Sequence, residues 1–195
     1  GGYAANNSFF WQTSVIGGTN AADGNNFQNC LNGVVAKNPQ KFEILNNDFS
    51  RITMYAVKYS FLNKACQAEI RNNSFTNCAT GIYAYLNTRC NSTIANNTMN
   101  WTGNPLSATG IRVLGDKFEN ERYYILSNTI SKPKYGIDIQ TTYGTLVQDN
   151  TIEDLRTSSG LLKNYGIRSL NCYKPVISSN TITPVPFNGN QPGAS

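Results

Sequence analysis

Short runs of alternating apolar and polar residues recur along the chain, and they share one template. It is seen in Ala4-Ala5-Asn6-Asn7-Ser8-Phe9, Ile44-Leu45-Asn46-Asn47-Asp48-Phe49, Ile70-Arg71-Asn72-Asn73-Ser74-Phe75 and Ile94-Ala95-Asn96-Asn97-Thr98-Met99. Later copies are Ile125-Leu126-Ser127-Asn128-Thr129-Ile130, Val147-Gln148-Asp149-Asn150-Thr151-Ile152 and Ile177-Ser178-Ser179-Asn180-Thr181-Ile182. A weaker copy is Ala22-Asp23-Gly24-Asn25-Asn26-Phe27. The pattern is apolar-x-x-Asn-x-apolar, with anchors at Asn7, Asn25, Asn47, Asn73, Asn97, Asn128, Asn150 and Asn180. The mean spacing is about 25 residues, and period-two alternation within each copy predicts short strands rather than helices.

A strand pair this short buries nothing until the next copy stacks on it, so the repeat predicts an all-β solenoid of about eight coils. Two core columns follow. Three residues before the anchor stand Ala4, Ala22, Ile44, Ile70, Ile94, Ile125, Val147 and Ile177; two after it stand Phe9, Phe27, Phe49, Phe75, Met99, Ile130, Ile152 and Ile182. The anchor is expected at a tight bend, where Asn tolerates the left-handed conformation, with its amide bonded to its counterpart one coil away. A third strand follows a Gly in most coils, as in Gly81-Ile82-Tyr83-Ala84-Tyr85 and Gly136-Ile137-Asp138-Ile139, and Tyr55 is read into the Gly position of one coil. Helical repeats need longer units with 3.6-residue periodicity, and leucine-rich repeats need more Leu than this chain has.

With this ladder and three strands per coil, the chain resembles the right-handed parallel β-helix superfamily, the pectate-lyase-like fold shared by phage tailspikes and bacterial surface proteins. The resemblance covers nearly the whole chain and implies the right-handed winding, which the handedness of parallel crossovers supports. Residues 1–183 form the expected β-helix domain, read as a segment of a longer solenoid, and the Pro- and Gly-rich stretch 184–195 reads as an exit or linker.

Composition narrows the chemistry. The chain has 195 residues, 28 of them Asn, and no His, which removes imidazole-based catalysis and His metal sites. The His-bearing motifs of polygalacturonases and alginate epimerases are therefore excluded for this segment. The 11 acidic residues place no triplet at one coil position to cage a hard cation, and no Gly-Gly-x-Gly-x-Asp repeat occurs. No metal and no cofactor are expected. The net charge of +5 is scattered rather than clustered, so nucleic acid is not an expected partner. No apolar run is long enough to insert into a membrane, and the opening GGYAANNSFF lacks the regions of a signal peptide.

In β-helix enzymes, as the resemblance implies, polysaccharide lies along the outward face of one sheet. Here the outward residues of the Gly strand are expected to be Val35, Val57, Tyr83, Arg112, Asp138 and Arg168, with Lys37, Tyr59, Tyr85, Leu114, Gln140 and Leu170 beside them. Aromatic rings stack on sugars and Arg forks grip carboxylates, so Tyr83, Tyr85, Arg112, Asp138 and Arg168 form the candidate glycan-binding set. The competing reading is a solvated sheet face on which Arg112, Asp138 and Arg168 neutralise one another. Cys66 and Cys90 stand in adjacent coils at a separation that a disulfide can bridge, whereas Cys30 and Cys78 lie two coils apart and read as core thiols. The sequons at Asn6, Asn72, Asn91, Asn96 and Asn100 read as a by-product of Asn, Ser and Thr richness.

These features predict a non-catalytic extracellular or cell-surface segment of a bacterial surface, fibre or adhesin-like protein. Its expected partners are a polysaccharide or cell-surface glycan and further coils of the same or a neighbouring chain. The alternative is a carbohydrate-active enzyme, a polysaccharide lyase or tailspike-like depolymerase working on the same face.

Overall fold

The structure, a computed structural model, describes residues 13–61, 66–86, 90–102, 108–116, 122–155 and 164–184. They form a parallel β-solenoid of three sheets. The first sheet stacks Thr13–Gly17, Lys41–Leu45, Cys66–Arg71, Cys90–Ala95, Arg122–Leu126, Leu146–Gln148 and Val176–Ser178. The second stacks Asn26–Gln28, Asp48–Ser50, Ser74–Thr76, Thr98–Asn100, Thr129–Ser131, Thr151–Leu155 and Thr181–Pro184. The third stacks Asn32–Lys37, Tyr55–Phe61, Thr80–Leu86, Thr109–Leu114, Tyr135–Gln140 and Tyr165–Leu170. Of the eight expected coils, the described residues hold seven in the first two sheets and six in the third; the copy around Asn7 lies outside them.

Alternation decides what each strand buries. Ile44, Ile70, Ile94, Ile125 and Val147 from the first sheet meet Phe49, Phe75, Met99, Ile130 and Ile152 from the second and Val57, Ile82, Ile111 and Ile137 from the third. Phe27, Phe49 and Phe75 stack with centroids 4.8 and 5.0 Å apart and interplanar angles of 8° and 6°, a geometry set by the spacing between coils. One expected core position moves. Ile16, not Ala22, pairs with Ile44, because the strand before Asn25 lies earlier in the chain and Ala21–Asp23 forms an exposed 3-10 turn.

The left-handed conformation is also displaced by one residue. The positive φ falls on the residue before the anchor: Asn46, Asn72, Asn96, Ser127, Asp149 and Ser179, at 53 to 57°. This bend turns the chain from the first sheet to the second and leaves the anchor free to point inward. The Asn doublets therefore do two jobs, with the first residue tolerating the backbone and the second building the ladder.

The ladder runs through the interior. Asn128 Oδ1 accepts from Asn97 N (3.1 Å) and Asn97 Nδ2 (3.0 Å). Its own Nδ2 donates to Asn150 Oδ1 and to Ile94 O, both at 2.9 Å. The same pattern joins Asn25, Asn47, Asn73, Asn97, Asn128, Asn150 and Asn180. A buried amide is thus paired on both sides, which removes the desolvation cost it would otherwise carry.

The Gly column answers to a close approach rather than to an unusual φ. A Cβ on Gly136 would lie 2.5 Å from Gly166 O and 2.8 Å from Ile152 Cδ1. In the coil that lacks Gly, Tyr55 pairs with Asn32 and Thr80, so Ala56 takes the position expected for Tyr55. That shift turns Val57 and Tyr59 into the core, both fully buried, and brings Lys58 to the outside. The Tyr59 hydroxyl bonds the buried Ser92 Oγ, and burial raises its pKa well above the ordinary phenol value.

Candidate functional site

The outward face of the third sheet carries the candidate site. Its central column reads Val35, Lys58, Tyr83, Arg112, Asp138 and Arg168, paired coil by coil. Tyr85 stands in the adjacent column with Lys37, Ser60, Leu114, Gln140 and Leu170. The five residues singled out from the sequence therefore share one face: four in one column and Tyr85 beside them.

Asp138 is the pivot. Arg168 grips it with a fork, Nε to Oδ1 at 2.9 Å and Nη2 to Oδ2 at 2.7 Å, and Gln140 Nε2 donates to Oδ2 at 2.8 Å. Asp138 is only 4% exposed, so these bonds replace the water its carboxylate gives up. The Asp138 hydrogen bond also raises the Arg168 pKa above its ordinary value. Arg112 Nε approaches Oδ2 only to 3.6 Å and makes no hydrogen bond, and its side chain is 42% exposed. One carboxylate thus faces two guanidinium groups, and the column keeps a surplus of positive charge.

Two cation and aromatic clusters flank this pivot. Near the N-terminal end of the face, Lys58 Nζ lies 4.9 Å from the Tyr55 centroid and 5.6 Å from that of Tyr83, and the two rings are 5.0 Å apart. Burial raises the Tyr83 pKa, and the neighbouring Tyr55 adds to that shift. Toward the C-terminal end, Tyr135 and Tyr165 stack at 6.0 Å, with Arg168 Cζ 5.9 and 5.3 Å from their centroids and Lys134 Nζ 5.3 Å from Tyr135. Lys58, Tyr55, Tyr135 and Tyr165 escaped the sequence reading. Lys58 was hidden by the one-residue shift at Ala56, whereas the Tyr-Gly pairs at Tyr135-Gly136 and Tyr165-Gly166 were a visible signal of a second outward column.

From Lys58 to Arg168 the face spans four coil steps, roughly 19 Å at the spacing of parallel strands. Tyr85 OH donates to Asp116 Oδ2 at 3.4 Å, at the margin of the face. Among the described residues, no three Cys, Asp or Glu side chains converge as metal ligands would, and no helix is long and apolar enough to cross a membrane.

The thiols divide between sites. Cys30, Cys78 and Cys172 are free. Cys78 is buried, which pushes its pKa up to about 11, and its Sγ contacts Phe49 O and Thr76 O at 3.6 Å. Cys66 and Cys90 are paired in register along the first sheet, but their side chains lie outside the described residues, and so does the disulfide expected between them.

No curated protein and no solved structure matches the chain. A family model described as the right handed beta helix region matches residues 61–185. This match spans most of the chain and agrees with the stacked parallel strands and the internal Asn ladder. The chain belongs to the right-handed β-helix family.

Proposed function

We propose that this chain is a stiff, non-catalytic β-helix segment of an extracellular surface, fibre or adhesin-like protein, and that it binds an acidic polysaccharide along the outward face of the third sheet. The observation that carries the reading is the pairing of tyrosines with cations at both ends of one column: Tyr55, Lys58 and Tyr83 at one end, Tyr135, Tyr165 and Arg168 at the other, with the half-buried Arg112 between them. Rings offer flat apolar surface to pyranose faces, and the surplus cations match carboxylate or sulfate groups spaced along a glycan. Both oxygens of Asp138 already accept bonds from Arg168, so this carboxylate neutralises part of the column's positive charge rather than acting as an acid or base.

The test is a titration of acidic and neutral polysaccharides, recording binding together with release of reducing or unsaturated ends. Binding without release is expected, weakened at least about tenfold by Lys58→Ala combined with Arg112→Ala, since each tenfold is about 1.4 kcal/mol. Asp138→Asn should tighten binding, because it removes the negative charge facing two guanidinium groups. Release of ends that disappears in Asp138→Asn would instead make the protein an enzyme, and silence toward every glycan would remove the binding role.

A further inference from the structure

Charge on the outward column of the third sheet alternates from coil to coil. In register, the column reads Val35, Lys58, Tyr83, Arg112, Asp138 and Arg168, so its cations fall on every second coil. The steps between them hold a neutral ring, Tyr83, and a carboxylate, Asp138. The flanking column through Tyr55, Thr80, Thr109, Tyr135 and Tyr165 carries no charged residue. Two lysines stand off this axis: Lys37 is one column to the side, paired with Ser60, and Lys134 precedes its strand, with Nζ 5.3 Å from the Tyr135 centroid.

Adjacent parallel strands are roughly 4.8 Å apart, which puts successive cations of the column roughly 9.6 Å apart along the solenoid axis. One coil step is close to the advance of one pyranose residue in an extended β-linked chain, and two steps to that of a disaccharide. A glycan lying along the column therefore meets a cation at every second sugar. The intervening positions favour neutral sugars for separate reasons. Tyr83 offers a ring, 5.0 Å from that of Tyr55, on which an uncharged pyranose face can stack. Asp138 presents a carboxylate whose oxygens are taken by Nε and Nη2 of Arg168, while Arg168 Nη1 lies outside that fork. A sugar carboxylate placed over Asp138 would meet a like charge, which is costly across an interface.

We infer that the glycan recognised by this face carries one acidic group per disaccharide, with acidic sugars over Lys58, Arg112 and Arg168 and neutral sugars over Tyr83 and Asp138. The inference rests on the glycan-binding role proposed above and adds the charge spacing of the polymer. Charge density alone predicts the opposite order, because a face that merely attracted anions would favour a polymer with an acid on every residue. Three cations and one carboxylate over six coils leave a surplus of two positive charges, too few to neutralise such a polymer.

Isothermal titration of the 195-residue chain with two oligosaccharides of matched length tests this. One is a hyaluronan fragment, which alternates glucuronate with N-acetylglucosamine; the other is β-linked polyglucuronate, which has a carboxylate on every residue. The hyaluronan fragment is expected to bind at least about tenfold tighter. Tyr83→Lys puts a cation at a neutral step, and Asp138→Asn removes the opposing charge. Each should raise the affinity for polyglucuronate more than that for hyaluronan, narrowing the ratio at least about threefold, with circular dichroism confirming the fold. A loss of folded material lowers both affinities together and does not mimic a change in their ratio. Polyglucuronate bound as tightly as hyaluronan or tighter, or a ratio that neither substitution moves, overturns the charge spacing and leaves the binding role standing. Silence toward both oligosaccharides overturns the binding role and this inference with it.

Discussion

Asn128→Ala removes the centre of the ladder at a rung with no exposed surface. The substitution takes away Oδ1, which accepts from Asn97 N and Nδ2, and Nδ2, which donates to Asn150 Oδ1 and Ile94 O. Asn150 Oδ1 keeps its bond from the Asn128 backbone, and Asn97 Nδ2 keeps Ile70 O. The losses that remain uncompensated are the Asn97 N–H and one hydrogen of its amide. Water cannot reach either, since Asn97 is itself 1% exposed. A buried group left without a partner costs about 1 to 3 kcal/mol, so the variant should lose roughly 2 to 6 kcal/mol. A chain of this length is stable by only about 5 to 15 kcal/mol, and the loss is therefore a large share of the total. Urea unfolding followed by far-ultraviolet circular dichroism reads it as a fall in midpoint. Asn180→Ala is the internal comparison: it strands only the Asn150 N–H, because Asn150 Nδ2 keeps Ile125 O and Gln148 O, so it should cost about 1 to 3 kcal/mol, less than Asn128→Ala. Equal losses at the two positions, or a loss below about 1 kcal/mol at Asn128, would refute the account of the ladder as a set of buried, mutually satisfied amides.

Phe49→Ala removes the middle ring of the Phe27, Phe49, Phe75 stack and should cost about 3 to 5 kcal/mol in the same assay, more than Phe27→Ala at the half-buried end. The buried Cys78 thiol should resist thiol reagents at pH 8 in the folded chain while Cys30 reacts faster, measured as the rate of modification per site. Its folded pKa is raised to about 11 from an ordinary value of 9.0. Its contribution to stability is therefore complete below pH 9 and is lost as pH climbs toward 11; Cys78→Ala should flatten that part of the urea midpoint curve.

Asn doublets, the apolar columns around them and the Gly before the third strand were enough to specify a parallel solenoid, because a repeat short enough to bury nothing alone has few other ways to satisfy its backbone. The local sequence also placed Tyr83, Arg112, Asp138 and Arg168 on one outward column, since period-two alternation is a property of any strand. What sequence could not reach was register where the template is imperfect. A single residue separates Tyr55 from Ala56 at the Gly position, and that slip reverses every side chain in the strand, exchanging Val57 and Tyr59 for Lys58. Likewise, only the stacked coils show that the left-handed bend belongs to the residue before the anchor from Asn47 onward, since Asn46-Asn47 looks alike in both positions. Partnership was the other decision of tertiary structure: the Arg168 fork on Asp138 and the tyrosine pairs around Lys58 and Arg168 join residues 28 to 30 positions apart, which only the pitch of the solenoid brings within contact.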